Sequence, residues 1–174
     1  MLWFKKSSGT KVFRVPPVAM KAGSKDLGDF ERVEFTENLN RASEQGVLFT
    51  YDSEGQEFDF AFVRKPGAKR LFVLFCGAAN RKKIDPPVFQ RWKWADRFPG
   101  HALYVSDPAL KLSDELGLAW YIGTRDVDYS PLIQEAITKL AGFLRIPEKR
   151  IVTYGSSGGG FAALRMLDFM PNVT

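Results

Sequence analysis

From Gly46 onward the hydrophobic and polar positions fall into short, regular blocks. Val47 to Tyr51 reads as a strand, Asp52-Ser53-Glu54-Gly55 as a turn, and Glu57 to Arg64 as the returning strand of an antiparallel hairpin. Phe58, Phe60 and Phe62 alternate with Asp59, Ala61 and Val63, which is the period of a half-buried strand. After Pro66-Gly67 the pattern changes: Leu71 to Phe75 is apolar at every position, as are Ala102 to Val105 and most of Ile151 to Tyr154. Such runs predict strands covered on both faces, as in a parallel sheet. Helical periods lie between them, over Val88 to Phe98 and over Pro131 to Leu144. In the second of these Leu132, Ile133, Ala136, Ile137, Leu140, Ala141 and Leu144 form one stripe, with Pro131 at a permitted first-turn position. Strands alternating with helices predict βαβ crossovers, hence an α/β fold: an open, mostly parallel sheet with flanking helices, preceded by an antiparallel N-terminal hairpin.

Residues 1–45 lack a sustained period and mix Gly, Ser and Pro16-Pro17 with charges, which predicts an irregular arm with one short strand at Arg32 to Phe35. The chain therefore divides into an arm, 1–45, and an α/β unit, 46–174. The arm carries Lys5, Lys6, Lys11, Arg14, Lys21 and Lys25 before the first acid, while the net charge of the whole chain is only +5. These charges are dispersed and their aromatic neighbours few, so a solvated basic tail is a better reading than a nucleic-acid contact. With 174 residues, 45% hydrophobic, the chain can bury a core, and its 26% charged content excludes disordered and collagen-like classes. Apolar runs such as Leu71 to Phe75 are far shorter than the roughly 18 residues of a membrane span. Met1 to Phe4 is followed by Lys5 and Lys6, the wrong order for a secretory signal, and the lone Cys76 forms no internal disulfide; together these predict a cytoplasmic protein. One cysteine and one histidine, His101, give no metal-binding set.

The segment that carries chemistry is 150–167, where a buried strand runs into glycines and then into an apolar helix. Gly155-Ser156-Ser157-Gly158-Gly159 satisfies G-x-S-x-G. A strand that turns sharply into a helix holds its middle serine in a strained conformation, and the flanking glycines let strand and helix approach. The serine oxygen then stands near a helix N-terminus, whose free N–H groups favour an oxyanion. A Walker loop would need Lys and Ser or Thr after the last glycine, where Phe161 stands. No register provides the G-x-G-x-x-G of a dinucleotide site. A glycine turn that merely packs tightly is the remaining alternative.

This stretch, with the preceding Ile146-Pro147-Glu148-Lys149, resembles the helix, connection, fifth strand and nucleophile elbow of the α/β-hydrolase family, and the resemblance extends over much of 46–170. It implies that Ser157 is the nucleophile. It also likens Leu71 to Phe75 to the family's third strand, whose following loop supplies oxyanion donors; here that loop begins Cys76-Gly77-Ala78-Ala79-Asn80. Backbone N–H groups of Gly77 or Ala78 and of Gly158 are the donors implied. The expected substrate is a small acyl ester or an acylated sugar, hydrolysed or transferred, with no cofactor and no metal required.

Other residues carry weaker expectations. Asp107 ends a strand on the edge where ligands bind in open α/β folds, yet Asp-Pro is also a common turn. Trp120 and Tyr121 are candidates for a pocket lining; Asp126 and Asp128 are expected to shape the loop before the helix. Cys76, closing a buried strand, reads as a small core residue.

The family order of nucleophile, acid and then histidine is not met, since no histidine follows Ser157. His101 starts its strand, which places it roughly 15 Å from the serine at about 3.3 Å per residue. The chain thus reads as an N-terminal portion of the fold that lacks its C-terminal strands, weak as an esterase on its own, with an uncovered apolar sheet edge that invites a homodimer. The competing reading is a non-catalytic α/β binding or assembly module that keeps the elbow for structural reasons.

Overall fold

A computed structural model describes residues 12–14, 30–32, 46–53 and 55–174. Among the described residues seven strands form one sheet: β1 (Val12–Arg14), β2 (Glu31–Arg32), β3 (Val47–Ser53), β4 (Gln56–Val63), β5 (Leu71–Phe75), β6 (His101–Val105) and β7 (Ile151–Gly155). Their order is β1-β3-β4-β6-β5-β7, with β2 on β3. The hairpin strands β3 and β4 are antiparallel, and β4 joins β6 antiparallel, whereas β6, β5 and β7 run parallel. This is the open α/β sheet expected from the pattern, its parallel part confined to the three mostly apolar strands β5, β6 and β7.

Two helices, α1 (Tyr129–Phe143) and α2 (Gly158–Arg165), lie on one face. The apolar stripe of α1, Leu132, Ile133, Ala136, Ile137, Leu140 and Ala141, is buried with Phe58, Phe60, Phe62, Val73 and Phe75 of the sheet, and Ala162 and Ala163 of α2 join the same core. Asp128 caps α1 by accepting the Ser130 N–H at 2.9 Å. Arg165 of α2 holds Asp128 at 2.7 Å and Ser130 Oγ at 2.6 Å, which ties the two helices together. Burial alone would raise the Asp128 carboxyl, but the Ser130 N–H and Arg165 outweigh it and hold it below its usual range. Asp128 is thus the loop-shaping acid that the sequence suggested.

Among the described residues the opposite face carries no long helix. The predicted helix over Val88 to Phe98 is instead an extended stretch followed by a 3-10 turn, Trp92–Arg97. The reasons are local: Pro86-Pro87 precedes it, Arg91 stands at φ 63, and Pro99 disfavours helix at Phe98. Its apolar positions still bury Leu74, Ala102 and Tyr104, with Phe89 in the core and Trp92, Ala95 and Phe98 packed against it.

Within the arm 1–45 the described residues are 12–14 and 30–32. β1 pairs antiparallel with β3, and Phe30 packs edge-on against Trp92 with ring centroids 5.6 Å apart. The strand expected at Arg32 to Phe35 is seen at Glu31–Arg32, while 33–35 lie outside the described residues, as do all the arm's lysines. At the other side of the sheet Thr174 occupies part of the β7 edge, donating to the Ile151 carbonyl (3.1 Å) and accepting from Thr153 (2.8 Å).

Candidate active site

Parallel pairing sets the geometry. Leu71 aligns with His101 and Ile151 at one end of the sheet, and Phe75 aligns with Val105 and Gly155 at the other. The carboxyl ends of β5 and β7 therefore lie side by side, and the two loops that leave them meet.

β7 ends at Gly155, and α2 begins at Gly158. Between them Ser157 has φ 55 and ψ −130, a backbone conformation that costs a non-glycine residue roughly 1–3 kcal/mol. Glycines enforce the turn: a Cβ on Gly155 would stand 2.1 Å from the Gly159 carbonyl oxygen, and one on Gly159 would stand 2.4 Å from the Phe75 carbonyl oxygen. The helix thus packs against the ends of β7 and β5 more closely than any side chain allows. Ser157 is exposed. Its carbonyl accepts from Gly160 (2.9 Å) and Phe161 (3.2 Å), and the Ser156 carbonyl accepts from Gly159 (3.1 Å). The Gly158 N–H meets no acceptor among the described residues.

The loop after β5 abuts this turn. A Cβ on Gly77 would lie 3.6 Å from Ser157 Cβ and 3.1 Å from the Ser156 carbonyl oxygen. Gly77 was expected as an oxyanion donor, but its N–H is given to Gln90 Oε1 at 3.0 Å. Gln90 Nε2 donates in turn to the Ala78 carbonyl at 3.0 Å. Ala79 donates to the Gly117 carbonyl at 2.7 Å, so Ala78, whose N–H has no acceptor among the described residues, lies between two neighbours whose N–H groups are taken. Cys76 is buried beneath: its thiol donates to the Val88 carbonyl (3.0 Å) and accepts from the Gln90 N–H (3.1 Å), and burial pushes it up to about 11.

Asp107 and Tyr121 do not reach this surface. Asp107 is 3% exposed, and its two oxygens accept from Ala109 (3.1 Å) and Tyr121 (3.0 Å), capping a 3-10 turn. Burial raises its carboxyl, and these backbone N–H groups only partly offset the rise. The Tyr121 hydroxyl, also buried, accepts from the Cys76 N–H (2.6 Å) and donates to the Val105 carbonyl (2.9 Å). Both residues brace the loop from below rather than line a pocket. Trp120 is 42% exposed and packs edge-on against Phe161 of α2, with centroids 5.7 Å apart.

His101 lies at the far end of the sheet, buried, with Nδ1 accepting the Lys65 N–H at 3.2 Å. Burial, and then the charge of Arg64, lower its pKa. A cavity of about 510 Å³ opens at that end, with Arg64, Lys69, His101 and Arg145 in its wall. Among the described residues no side chain hydrogen-bonds to the Ser157 hydroxyl, and no three His, Cys, Asp or Glu side chains gather as a metal site. No helix among them is long and apolar enough to cross a membrane.

Sequence reasoning missed Gln90 and Arg91. Arg91 Nη2 donates to Ser156 Oγ at 2.5 Å, and its guanidinium lies over the rings of Trp94 (5.9 Å) and Tyr154 (5.8 Å). A helical reading of 88–98 makes both residues ordinary solvated positions, so no periodic signal marks them.

No family model matches the chain, and no curated protein sequence does. Solved structures do share its fold. A chain of the Glycosylation Associate Protein complex from Streptococcus agalactiae matches 67% of this chain at 24% identity and TM-score 0.52. A capsule O-acetyltransferase of Neisseria meningitidis serogroup A matches 72% at 18% identity and TM-score 0.50. A thermostable esterase matches 73% at 18% identity and TM-score 0.50. The chain spans 20%, 49% and 38% of those three chains, respectively. At such identities the likeness establishes the fold: an esterase-like open α/β sheet.

Proposed function

We propose that this chain carries the nucleophile and oxyanion pocket of a serine-dependent acyl-ester hydrolase or acyltransferase. Ser157 Oγ attacks the acyl carbonyl, and the N–H groups of Ala78 and Gly158 hold the oxygen that becomes negative. The ester C–O bond then breaks, the alcohol leaves with a proton, and water or an acceptor hydroxyl takes the acyl group from Ser157. The observation that carries this reading is a strained, exposed serine between β7 and α2 with the loop after β5 packed against it, a Cβ on Gly77 falling 3.6 Å from Ser157 Cβ. Acylated sugars and small acyl esters are the substrate classes proposed, and Trp120 is the aromatic wall available to them.

Removal of the serine proton needs a base, and a serine without one is a poor nucleophile. The chain is therefore expected to turn over 4-nitrophenyl acetate slowly, and Ser157→Ala to reduce that rate to the buffer background. A rate unchanged by Ser157→Ala would overturn the proposal.

A second reading, a non-catalytic binding module, is favoured by the position of His101, four residues along its strand from the Val105 end. Under it no Ser157-dependent turnover exists, while the elbow persists as a packing device.

A further inference from the structure

The proposed acyl site has a cationic neighbour that neither the elbow nor the oxyanion loop requires. Arg91 begins the 3-10 turn Trp92–Arg97 in a left-handed conformation and donates through Nη2 to the side chain of Ser156, the residue immediately before Ser157. Among the described residues no carboxylate pairs with it, whereas Arg81 and Arg165 meet Asp85 and Asp128. Trp94 and Tyr154, whose rings flank the guanidinium within cation–π range, are 42% and 41% exposed, so the group stands at the surface beside the elbow. These ring contacts and the bond to Ser156 restrict the side chain in advance, which reduces the entropy lost when it binds a ligand. A guanidinium has five N–H donors in a planar fork that matches carboxylate or phosphate oxygens, and the bond to Ser156 uses one of them.

We propose that Arg91 is a substrate-binding residue that selects acyl esters bearing a carboxylate or phosphate close to the acylated oxygen. The proposal rests on the Ser157 reading, because Arg91 reaches the acyl site through Ser156.

Phenyl acetate, 2-acetoxybenzoate and 2-acetoxyphenyl phosphate form a series with hydrogen, carboxylate or phosphate on the ring carbon next to the one that bears the acylated oxygen. Titration of each into the ¹⁵N-labelled 174-residue chain, followed by NMR, gives a dissociation constant and identifies which N–H groups respond. At least one anionic ester is expected to bind ten times more tightly than phenyl acetate or better, and to shift Arg91 Nε–H together with the Ala78 and Gly158 amides; the better of the two identifies the preferred anion. Arg91→Gln is expected to bring the preference to about one, and Arg91→Lys, which keeps the charge but not the fork, to leave an intermediate preference; amide spectra report whether each variant is folded. Equal affinities with shifts at Ala78 and Gly158 would overturn the role of Arg91 and leave the Ser157 reading standing. Shifts at Arg91 without any at Ala78 and Gly158 would overturn both, as would no binding by any ester.

Discussion

Gln90 holds Gly77 and its neighbour from outside the sheet: its Oε1 takes the Gly77 N–H at 3.0 Å while its Nε2 reaches the Ala78 carbonyl at 3.0 Å. The two bonds lie on either side of the Gly77–Ala78 peptide, so Gln90 restrains the peptide that carries the proposed Ala78 donor. Gln90→Leu removes both bonds, each worth about 1 kcal/mol. The Gly77 amide is expected to exchange with solvent at least fivefold faster in the variant, while core amides of β5 keep their rates. Unchanged exchange at Gly77 would show that the loop holds its shape without Gln90.

The glycines of the elbow are not equivalent. A methyl on Gly155 meets backbone oxygen at 2.1 Å, whereas one on Gly160 meets nothing closer than 3.5 Å and sits within a helix. Gly155→Ala is expected to destabilise the chain by about 3 kcal/mol. Gly160→Ala is expected to stabilise it by roughly 0.5–1 kcal/mol through helix propensity. Urea denaturation of the two variants checks the contrast, and equal effects would mean that the strand-to-helix approach is looser than described.

His101 predicts a pH dependence of folding. Burial and Arg64 depress its pKa in the folded chain, with a hydrogen bond to the Ala68 backbone pulling it partly back. The neutral ring is therefore favoured on folding, so its contribution is fully present above the unfolded value of about 6.5 and is lost as pH falls below that through the folded value. Wild type is expected to lose more stability than His101→Gln between pH 7.5 and 5, measured by denaturant titration. Parallel losses would contradict the buried neutral ring.

Cys76, with its thiol pushed up to about 11 and both its hydrogen bonds inside the fold, is expected to resist alkylation. Iodoacetamide at pH 8 should modify the folded chain at least roughly a hundredfold more slowly than the urea-unfolded chain, following the thiolate fraction. Comparable rates would mean that the strand end opens readily.

The parallel strands and α1 were legible because each is a local pattern. Leu71 to Phe75 is apolar at every position, and the stripe from Leu132 to Ala141 repeats at helical spacing; both are buried as that pattern requires. The elbow was legible because steric need writes its glycines into the sequence. The segment 88–98 was not, since Val88, Phe89, Trp92, Ala95 and Phe98 have a helical spacing that an extended stretch and a short turn satisfy equally well. That misreading hid Gln90 and Arg91, whose roles depend on contacts with residues 12 to 65 positions away. Gly77 was expected, as an alternative to Ala78, from its place in the loop after β5, and a side chain thirteen residues away takes its N–H. Asp107 and Tyr121 sit at the expected sheet edge but point into the fold, a distinction that register alone does not make.

The central claim is that Ser157 is the reactive residue, and a fluorophosphonate tests it most directly. The 174-residue chain, kept overnight with excess reagent, is weighed intact and then mapped by peptide mass. A single, slowly formed adduct on Ser157 that is absent from Ser157→Ala is predicted, slow because no base meets the hydroxyl among the described residues. An adduct on Ser156 or elsewhere, or none at all, would contradict the account.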